Sequence, residues 1–215
     1  FEDTAFVNQN VRPYYAEGSK TMGYELAEQL GWRIPAQVVI PMASGSLLTK
    51  VDKAFRELVA AGIVEATEWA IFGAQSAGCD PIATAFDNGW DVVKPVKPTG
   101  IAKSLNIGNP ADGPYALDAI RRSGGAVGRV GDDEIVQGIR DLARTTGVFA
   151  ETAGGVTVAV LRQLVGDGRL DPAKETVVLN TGEGLKTLDP LEPVVGPTHR
   201  VEPSLKSARA AGLIG

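Results

Sequence analysis

A run of small residues at 43–46 stands where the backbone could hold an anion. It follows a β-branched run at 37–40, typical of a parallel strand covered on both faces, and apolar residues at helical spacing begin at Leu47. Free N–H groups at a helix start, together with the positive end of the helix dipole, attract anions. The two serines of the run add hydroxyl donors, and Gly45 can adopt backbone angles closed to other residues. The pattern predicts a phosphate site.

The same turn has a simpler interpretation, because small residues between a strand and a helix also cap helices. The sequence contains neither G-x-x-x-x-G-K-[ST] nor G-x-G-x-x-G, the patterns of two well-known nucleotide-binding loops. On this stretch alone, phosphate binding and helix capping both stay open.

The composition limits the chemistry available to the chain. Its 215 residues are 44% hydrophobic, carry a formal net charge of −5 and include one cysteine and one histidine. A single cysteine excludes an internal disulfide and a cysteine-rich metal site, and the acidic balance argues against a nucleic-acid partner. No uncharged apolar stretch reaches the roughly 20 residues that span a bilayer, so we expect no membrane partner and a reducing, cytoplasmic setting. With one histidine available, we expect reactivity to come from a bound cofactor.

Strands and helices alternate along the chain. Five strands are predicted, at 37–40, 68–72, 126–130, 148–150 and 176–180, and Ser19 is expected to cap the helix before the first strand. This alternation predicts an α/β fold with a parallel, doubly wound sheet and helices on both faces. Small-residue turns follow strands at 43–46, 73–78, 151–155 and 181–184. We expect these turns to meet at the carboxyl edge of the sheet, where ligands bind in such folds.

Five segments form a set that covers nearly the whole chain. They are Arg12-Pro13-Tyr14-Tyr15-Ala16-Glu17-Gly18-Ser19-Lys20-Thr21, Pro41 to Lys50, Ile107-Gly108-Asn109-Pro110, Glu151-Thr152-Ala153-Gly154 and Thr181-Gly182-Glu183-Gly184-Leu185-Lys186. The set resembles the pyridoxal-phosphate enzymes of the tryptophan-synthase-β (fold type II) superfamily, and within it the threonine synthase family. The resemblance implies the large, cofactor-anchoring domain of such an enzyme over residues 1–186, followed by a tail or arm at 187–215.

The resemblance also implies roles for individual residues. Pyridoxal 5'-phosphate is the implied cofactor, and its phosphate would be held by Ala43, Ser44, Gly45, Ser46 and Leu47. The Thr181 hydroxyl would meet the pyridine nitrogen, although a strand-end threonine also caps its own turn. Arg12 and Asn8 are expected to reach the phosphate of an O-phospho-L-homoserine substrate, with a surface role for Arg12 left open. Gln75 and Asn109 are candidates to line the pocket.

One feature of the superfamily is missing from this sequence. These enzymes form a Schiff base with a lysine in an upstream Ser-x-Lys-type segment, and none of the nine lysines has that context. Glu151 is predicted to be a helix-start carboxylate, and Lys186 a structural or solvated residue. We expect the C-terminal part of a lyase that makes L-threonine and phosphate from O-phospho-L-homoserine and water. It is expected to be inactive alone, to need the N-terminal segment of the same enzyme, and to form a homodimer.

Two other functions stay open on the sequence. A serine/threonine dehydratase or another β-replacement enzyme would share the fold and the cofactor. A non-catalytic binding domain would keep the fold without turnover. Turnover assays separate the two enzyme classes, and equilibrium binding of pyridoxal phosphate tests the binding domain.

Overall fold

The computed structural model describes Asp3 and residues 13–215. Its elements in chain order are α1 (Pro13–Gly18), α2 (Thr21–Gln29), β1 (Gln37–Pro41), α3 (Ser46–Ala60), β2 (Ala70–Ser76), α4 (Pro81–Asp87), α5 (Gly113–Arg122), β3 (Val127–Val130), α6 (Asp132–Thr146), α7 (Thr152–Gly166), β4 (Thr176–Val178) and α8 (Leu205–Ala210). Short 3-10 turns occur at Lys103–Leu105 and Gly184–Lys186. At least one helix separates each pair of successive strands, as the sequence pattern predicts for a parallel sheet.

The four strands form one parallel sheet in the order β3-β2-β1-β4. Side chains of β1 alternate between two apolar cores. Val38 and Ile40 pack with α2, α3 and α5, whereas Val39 packs with α6 and α7 on the other face. The predicted α/β class, with a parallel sheet and helices on both faces, is confirmed.

The strand order places a reversal beside β1. The chain moves from β1 outward to β2 and β3, and then returns to add β4 on the other side of β1. In open α/β sheets, ligands bind at such a reversal, in the crevice beyond the carboxyl ends of the strands. The loops after β1 and β4 flank this crevice.

An apolar stripe on α3 fixes the loop after β1. Leu48, Val51, Phe55 and Leu58 recur at helical spacing and are at most 5% exposed. Burying a side chain of this size contributes about 1.5–3 kcal/mol. The stripe therefore anchors α3, and with it the loop at 43–46, to the sheet.

The second strand is longer than predicted. The small residues at 73–76 were expected to form a turn, but β2 continues to Ser76 because these residues pair with 127–130 of β3. A Cβ atom on Gly73 would collide with the Met42 side chain. Glycine in this central strand therefore leaves room for a neighbouring core residue.

Two further predictions about local structure were wrong. The strand expected at 148–150 does not form, and Ala150 makes only an isolated antiparallel bridge with Glu183. Gly147 caps α6 and Thr152 begins α7, so too few residues remain for a strand. Ser19 does not cap α2, because its hydroxyl donates to the Tyr15 carbonyl at 3.2 Å.

The segment 187–215 packs on the rest of the chain at one buried side chain. Leu191 is 6% exposed and belongs to the apolar core between the sheet and α6 and α7. The helix α8 has no buried residue. The remainder of this segment lies on the surface.

Candidate functional site

The loop after β1 contains a buried hydroxyl without a partner. Gly45 has a φ of +90°, a left-handed value that favours glycine, and Ser46 begins α3. Ser44 Oγ accepts a hydrogen bond from the Ser46 N–H at 3.3 Å. Within the described part of the chain, Ser46 Oγ is buried and makes no hydrogen bond. An unsatisfied buried polar group costs about 1–3 kcal/mol, so the loop is suited to receive a further polar group.

Residues at the start of α5 contact this loop. Asp112 N–H donates to the Ser44 carbonyl at 3.2 Å. A Cβ atom on Gly45 would lie 3.0 Å from Ala116 Cβ and 3.2 Å from the Asp112 carbonyl oxygen. The loop conformation therefore depends on glycine at 45 and on the close approach of α5.

The loop opens into a cavity of about 330 Å³. Its lining consists of Tyr15, Ser19, Pro41, Ala43, Ser44, Gly45, Ser46, Leu47, Ser104, Leu105, Ile107 and Thr181. Five of these side chains carry aliphatic hydroxyls, and none of the described lining residues is charged. The cavity is therefore lined by neutral hydrogen-bonding groups beside apolar ones.

The helix start supplies the electrostatics for an anion. The amides of Leu47 and Leu48 lie in the first turn of α3, where no intrahelical carbonyl is available, and neither donates to another described residue outside the helix. The 15-residue helix directs the positive end of its dipole toward the same point. Hydroxyls, free amides and a helix dipole together form the donor set that phosphate requires.

The structure brings together the predicted residues of the two loops. Residues 43–47 and Thr181 line the same cavity, and the Thr181 hydroxyl makes no hydrogen bond within the described chain. Gln75 does not line the cavity, because its Oε1 accepts from the N–H groups of Ile82 and Ala83 at 3.1 and 2.9 Å. Asn109 is also absent from the lining.

Two predicted substrate residues fall outside the structural description. Asn8 and Arg12 both precede residue 13, so their proposed contact with a substrate phosphate stays a prediction from the sequence.

Sequence reasoning assigned no site role to several lining residues. Ser104 and Leu105 belong to the long irregular stretch before α5, whereas Tyr15 lies in α1 and Ser19 directly follows that helix. Irregular stretches of this length, here residues 90–113, are usually functional or disordered in compact domains, and that length was the available signal. Only the folded chain shows that the stretch reaches the loop after β1.

Unsatisfied polar atoms gather around the same edge of the sheet. In residues 13–215, the buried side-chain atoms without a hydrogen-bond partner are Ser46 Oγ, Asn106 Oδ1, Glu151 Oε2 and Thr152 Oγ1. Asn106 lies between two lining residues, and Glu151 precedes α7 next to the turn that contains Thr181. Buried polar atoms are normally paired, so this concentration marks the edge as the candidate site.

Ion pairs hold the cavity wall at α1 against α3. Glu17 lies 2.7 Å from both Lys20 and Lys53, and these two lysines lower its pKa to about 2. Glu57 receives hydrogen bonds from Lys20 at 2.7 Å and from the Tyr24 hydroxyl at 2.6 Å. Both contacts lower the pKa of Glu57. The network connects α1 and α2 to α3.

Acid is expected to loosen α1. Folding lowers the pKa of the Glu17 carboxyl from 4.5 to about 2. The ionised carboxylate therefore stabilises the fold above pH 4.5, and this stabilisation is lost as the pH falls toward about 2. We expect hydrogen exchange at the α1 amides, relative to β1, to rise about two- to fivefold over this range. Lys20→Met should produce the rise at neutral pH, whereas Arg33→Met, which breaks the exposed pair with Glu175, should not. Unchanged α1 exchange in Lys20→Met would contradict the assignment.

A larger cavity of about 460 Å³ lies at the opposite edge of the sheet, next to Trp69. Its lining includes Arg56, Trp69 and Arg122, which all bond to one buried carboxylate. The buried Asp52 carboxylate accepts hydrogen bonds from Arg56, Arg122 and Trp69 at 3.0–3.2 Å. Three residues that line this cavity therefore belong to a structural ion-pair cluster, in contrast to the edge after β1, where buried polar atoms have no partner.

Neither a metal-ligand cluster nor a membrane-spanning helix occurs among the described residues. No cluster of three or more His, Cys, Asp or Glu side chains suited to a metal ion occurs there. Among the helices of residues 13–215, none has the length and apolar character of a membrane span.

A family model described as pyridoxal-phosphate dependent enzyme matches residues 1–182. The chain belongs to the pyridoxal-phosphate dependent enzyme family. The match covers both loops that line the cavity. The resemblance stated from the sequence is thereby confirmed, and the hydroxyl-rich helix start fits the phosphate of this cofactor class.

Curated members of the family include threonine synthases that are similar to this chain. The threonine synthase of Methanocaldococcus jannaschii is 35% identical over 87% of the chain and 46% of its own length. That of Methanosarcina acetivorans is 36% identical over 86% of the chain and 46% of its own length. The chain therefore spans about half the length of the curated relatives it matches.

Solved structures of two other proteins share the fold. Threonine deaminase isoform 2 from Solanum lycopersicum has a TM-score of 0.68 at 18% identity, over 89% of this chain and 52% of that one. The fungal L-serine ammonia-lyase from Rhizomucor miehei has a TM-score of 0.65 at 22% identity, over 85% and 57%. These similarities confirm the fold type II architecture.

Proposed function

We propose that this chain is the cofactor-anchoring domain of a threonine synthase, a lyase that converts O-phospho-L-homoserine and water to L-threonine and phosphate. The observation that carries the proposal is the buried, unpartnered Ser46 hydroxyl at the start of α3, on the cavity that Thr181 also lines. Sequence identity of 35–36% to two curated threonine synthases supports it. The domain is assigned to residues 1–186, and 187–215 is assigned as an arm attached through Leu191.

The phosphate of pyridoxal phosphate would be held at the start of α3. The hydroxyls of Ser44 and Ser46 and the amides of Leu47 and Leu48 supply donors, and Ala43 and Gly45 leave space for close approach. Since no charged side chain lines the described cavity, hydrogen bonds and the helix dipole would carry the anion binding.

Thr181 would orient the other end of the cofactor. Its free hydroxyl is assigned to the pyridine nitrogen, with which it can exchange a neutral hydrogen bond. Unlike a carboxylate, a hydroxyl does not hold a proton on that nitrogen by charge. When bound, pyridoxal phosphate supplies the electron sink for proton removal next to the substrate amine. Through Thr181, this chain would influence how strongly the cofactor ring withdraws electrons.

Substrate recognition and covalent attachment extend beyond the described residues. Arg12 and Asn8 are assigned to the substrate phosphate, because a guanidinium matches phosphate geometry. No lysine is among the described lining residues, so we assign the attachment lysine to another part of the complete enzyme. A homodimer and a cytoplasmic setting stay predictions.

Removal of the Ser46 hydroxyl is expected to weaken cofactor binding. A hydrogen bond to a charged group contributes about 1.5–3 kcal/mol, or roughly 10- to 100-fold in affinity. Ser46→Ala should therefore raise the dissociation constant of pyridoxal phosphate by this factor in equilibrium dialysis of the 215-residue chain. Ser204→Ala removes a helix-start serine of α8, away from the cavity, and is the matched control.

The same samples test covalent attachment. After borohydride treatment, the intact mass of the chain should show no stoichiometric addition of cofactor, because no lysine is placed at the cavity. Failure of the parent chain to bind pyridoxal phosphate, or equal affinity in Ser46→Ala, would contradict the proposed site. A stoichiometric addition would place the attachment lysine in this chain.

A serine/threonine dehydratase is the second candidate. It is favoured by the similarity of the fold to threonine deaminase and L-serine ammonia-lyase. Turnover of the complete enzyme with O-phospho-L-homoserine, compared with serine and threonine, separates the two activities. Cofactor binding without turnover of any of the three would leave the non-catalytic binding domain.

A further inference from the structure

The turn that contains Thr181 is held by the residues that precede α7. Glu151 N–H donates to the Gly182 carbonyl at 3.0 Å, and Gly184 N–H donates to the Phe149 carbonyl at 2.9 Å. The Glu151 side chain packs directly on Gly182, where a Cβ atom would collide with the carboxylate. Backbone and side chain of Glu151 therefore contact the residue next to Thr181.

The same carboxylate is buried with one cationic partner. The Glu151 side chain is 4% exposed, and its Oε1 accepts from Lys186 Nζ at 3.2 Å. Its Oε2 has no hydrogen-bond partner in residues 13–215. A buried charge is costly unless it is paired. Lys186, at the other end of the turn that contains Thr181, supplies a positive charge that compensates the Glu151 carboxylate.

We infer that Glu151 is a positioning residue, which holds Thr181 at the cavity through Gly182 and through its ion pair with Lys186. This inference rests on the proposed role of Thr181 toward the cofactor. Without Lys186, the buried carboxylate would gain by moving toward water. Because it packs on Gly182, such a movement displaces the turn and the Thr181 hydroxyl with it.

The test combines local hydrogen exchange with cofactor affinity in the 215-residue chain. In Glu151→Ala, which removes both the contact with Gly182 and the ion pair, and in Lys186→Met, we expect exchange at the Gly184 amide to rise about tenfold, and the affinity for pyridoxal phosphate to fall about tenfold. The Leu179 amide, which bonds to the Val39 carbonyl at 3.0 Å, should keep its rate. Lys186→Arg preserves the charge. We therefore expect its exchange at the Gly184 amide and its affinity for pyridoxal phosphate to return most of the way to the parent values.

Arg33→Met is the matched control, because it also breaks an ion pair with a glutamate, Glu175, but at the amino edge of the sheet. It should alter neither readout. A rise in exchange at Leu179 as well as at Gly184 would show a merely structural role and overturn the inference. Unchanged exchange at Gly184, or no recovery in Lys186→Arg, would also overturn it.

The outcome for the parent chain separates the two proposals. If the parent binds pyridoxal phosphate and the variants do so equally well, the proposed function stands and the positioning role of Glu151 fails. If the parent does not bind the cofactor, the proposed function fails, and the inference fails with it because Thr181 then has no ligand to meet.

Discussion

Gly45→Val is expected to reduce the affinity for pyridoxal phosphate by about 100-fold or more. The φ of +90° at this position costs a residue with a side chain about 1–2 kcal/mol. The added Cβ atom would also approach Ala116 Cβ to 3.0 Å and the Asp112 carbonyl to 3.2 Å, and overpacking of this kind typically costs about 1–3 kcal/mol. The loop would relieve both by moving, which removes Ser44 and Ser46 from the phosphate position.

The measurement is equilibrium dialysis with pyridoxal phosphate, with circular dichroism to verify that the sheet is retained. Gly62→Val is a matched control. Gly62 has a φ of +68° but no atom within 4 Å of the position of a Cβ, so the substitution brings comparable backbone strain without the contacts of the loop. If the affinity of Gly45→Val for pyridoxal phosphate lies within about threefold of the parent value, the assignment of this loop is contradicted. The expected loss of about 100-fold corresponds to 2.7 kcal/mol.

Gly155→Val is expected to destabilise the fold by at least about 3 kcal/mol. At this position the backbones of α6 and α7 approach closely. A Cβ atom on Gly155 would lie 2.5 Å from the Ile135 carbonyl oxygen and 2.7 Å from Ile139 Cγ1. Across the contact, a Cβ atom on Gly138 would collide with the Gly155 carbonyl. Neither backbone can yield without separating the two helices.

Urea unfolding measures this effect as a fall in the midpoint with an unchanged slope. Gly166→Ala, in the same helix, has no atom within 4 Å of its Cβ position. This control should be neutral or stabilising by up to about 1 kcal/mol, because alanine has the higher helix propensity. A Gly155→Val midpoint equal to that of Gly166→Ala would show that the helices do not meet as described.

The packing of α6 on α7 also affects the turn that contains Thr181. Glu151 immediately precedes α7 and contacts the turn that contains Thr181. Tight packing at Gly155 therefore fixes the helix whose first residues support that turn. Gly155 does not line the cavity, but its packing is thereby linked to the position of Thr181.

The sequence alone determined the features that depend on neighbouring residues in the chain. The β-branched run at 37–40 predicts β1 because its side chains suit a strand buried on both faces. The apolar spacing from Leu47 predicts α3, and Gly45 between them indicates a special backbone conformation. The order of the five motif segments predicts the family and the cofactor. All of these signals are local or are read along the chain.

Only the tertiary structure decided which distant residues meet. Residues 73–76 became part of β2 because β3 pairs with them, although their small side chains suggested a turn. The pairing of Glu151 with Lys186 and the approach of Ser104 to the loop after β1 depend on the strand order. Such contacts join residues that the sequence separates widely. Composition and periodicity report how a segment folds, whereas its neighbours are set by the packing of the whole chain.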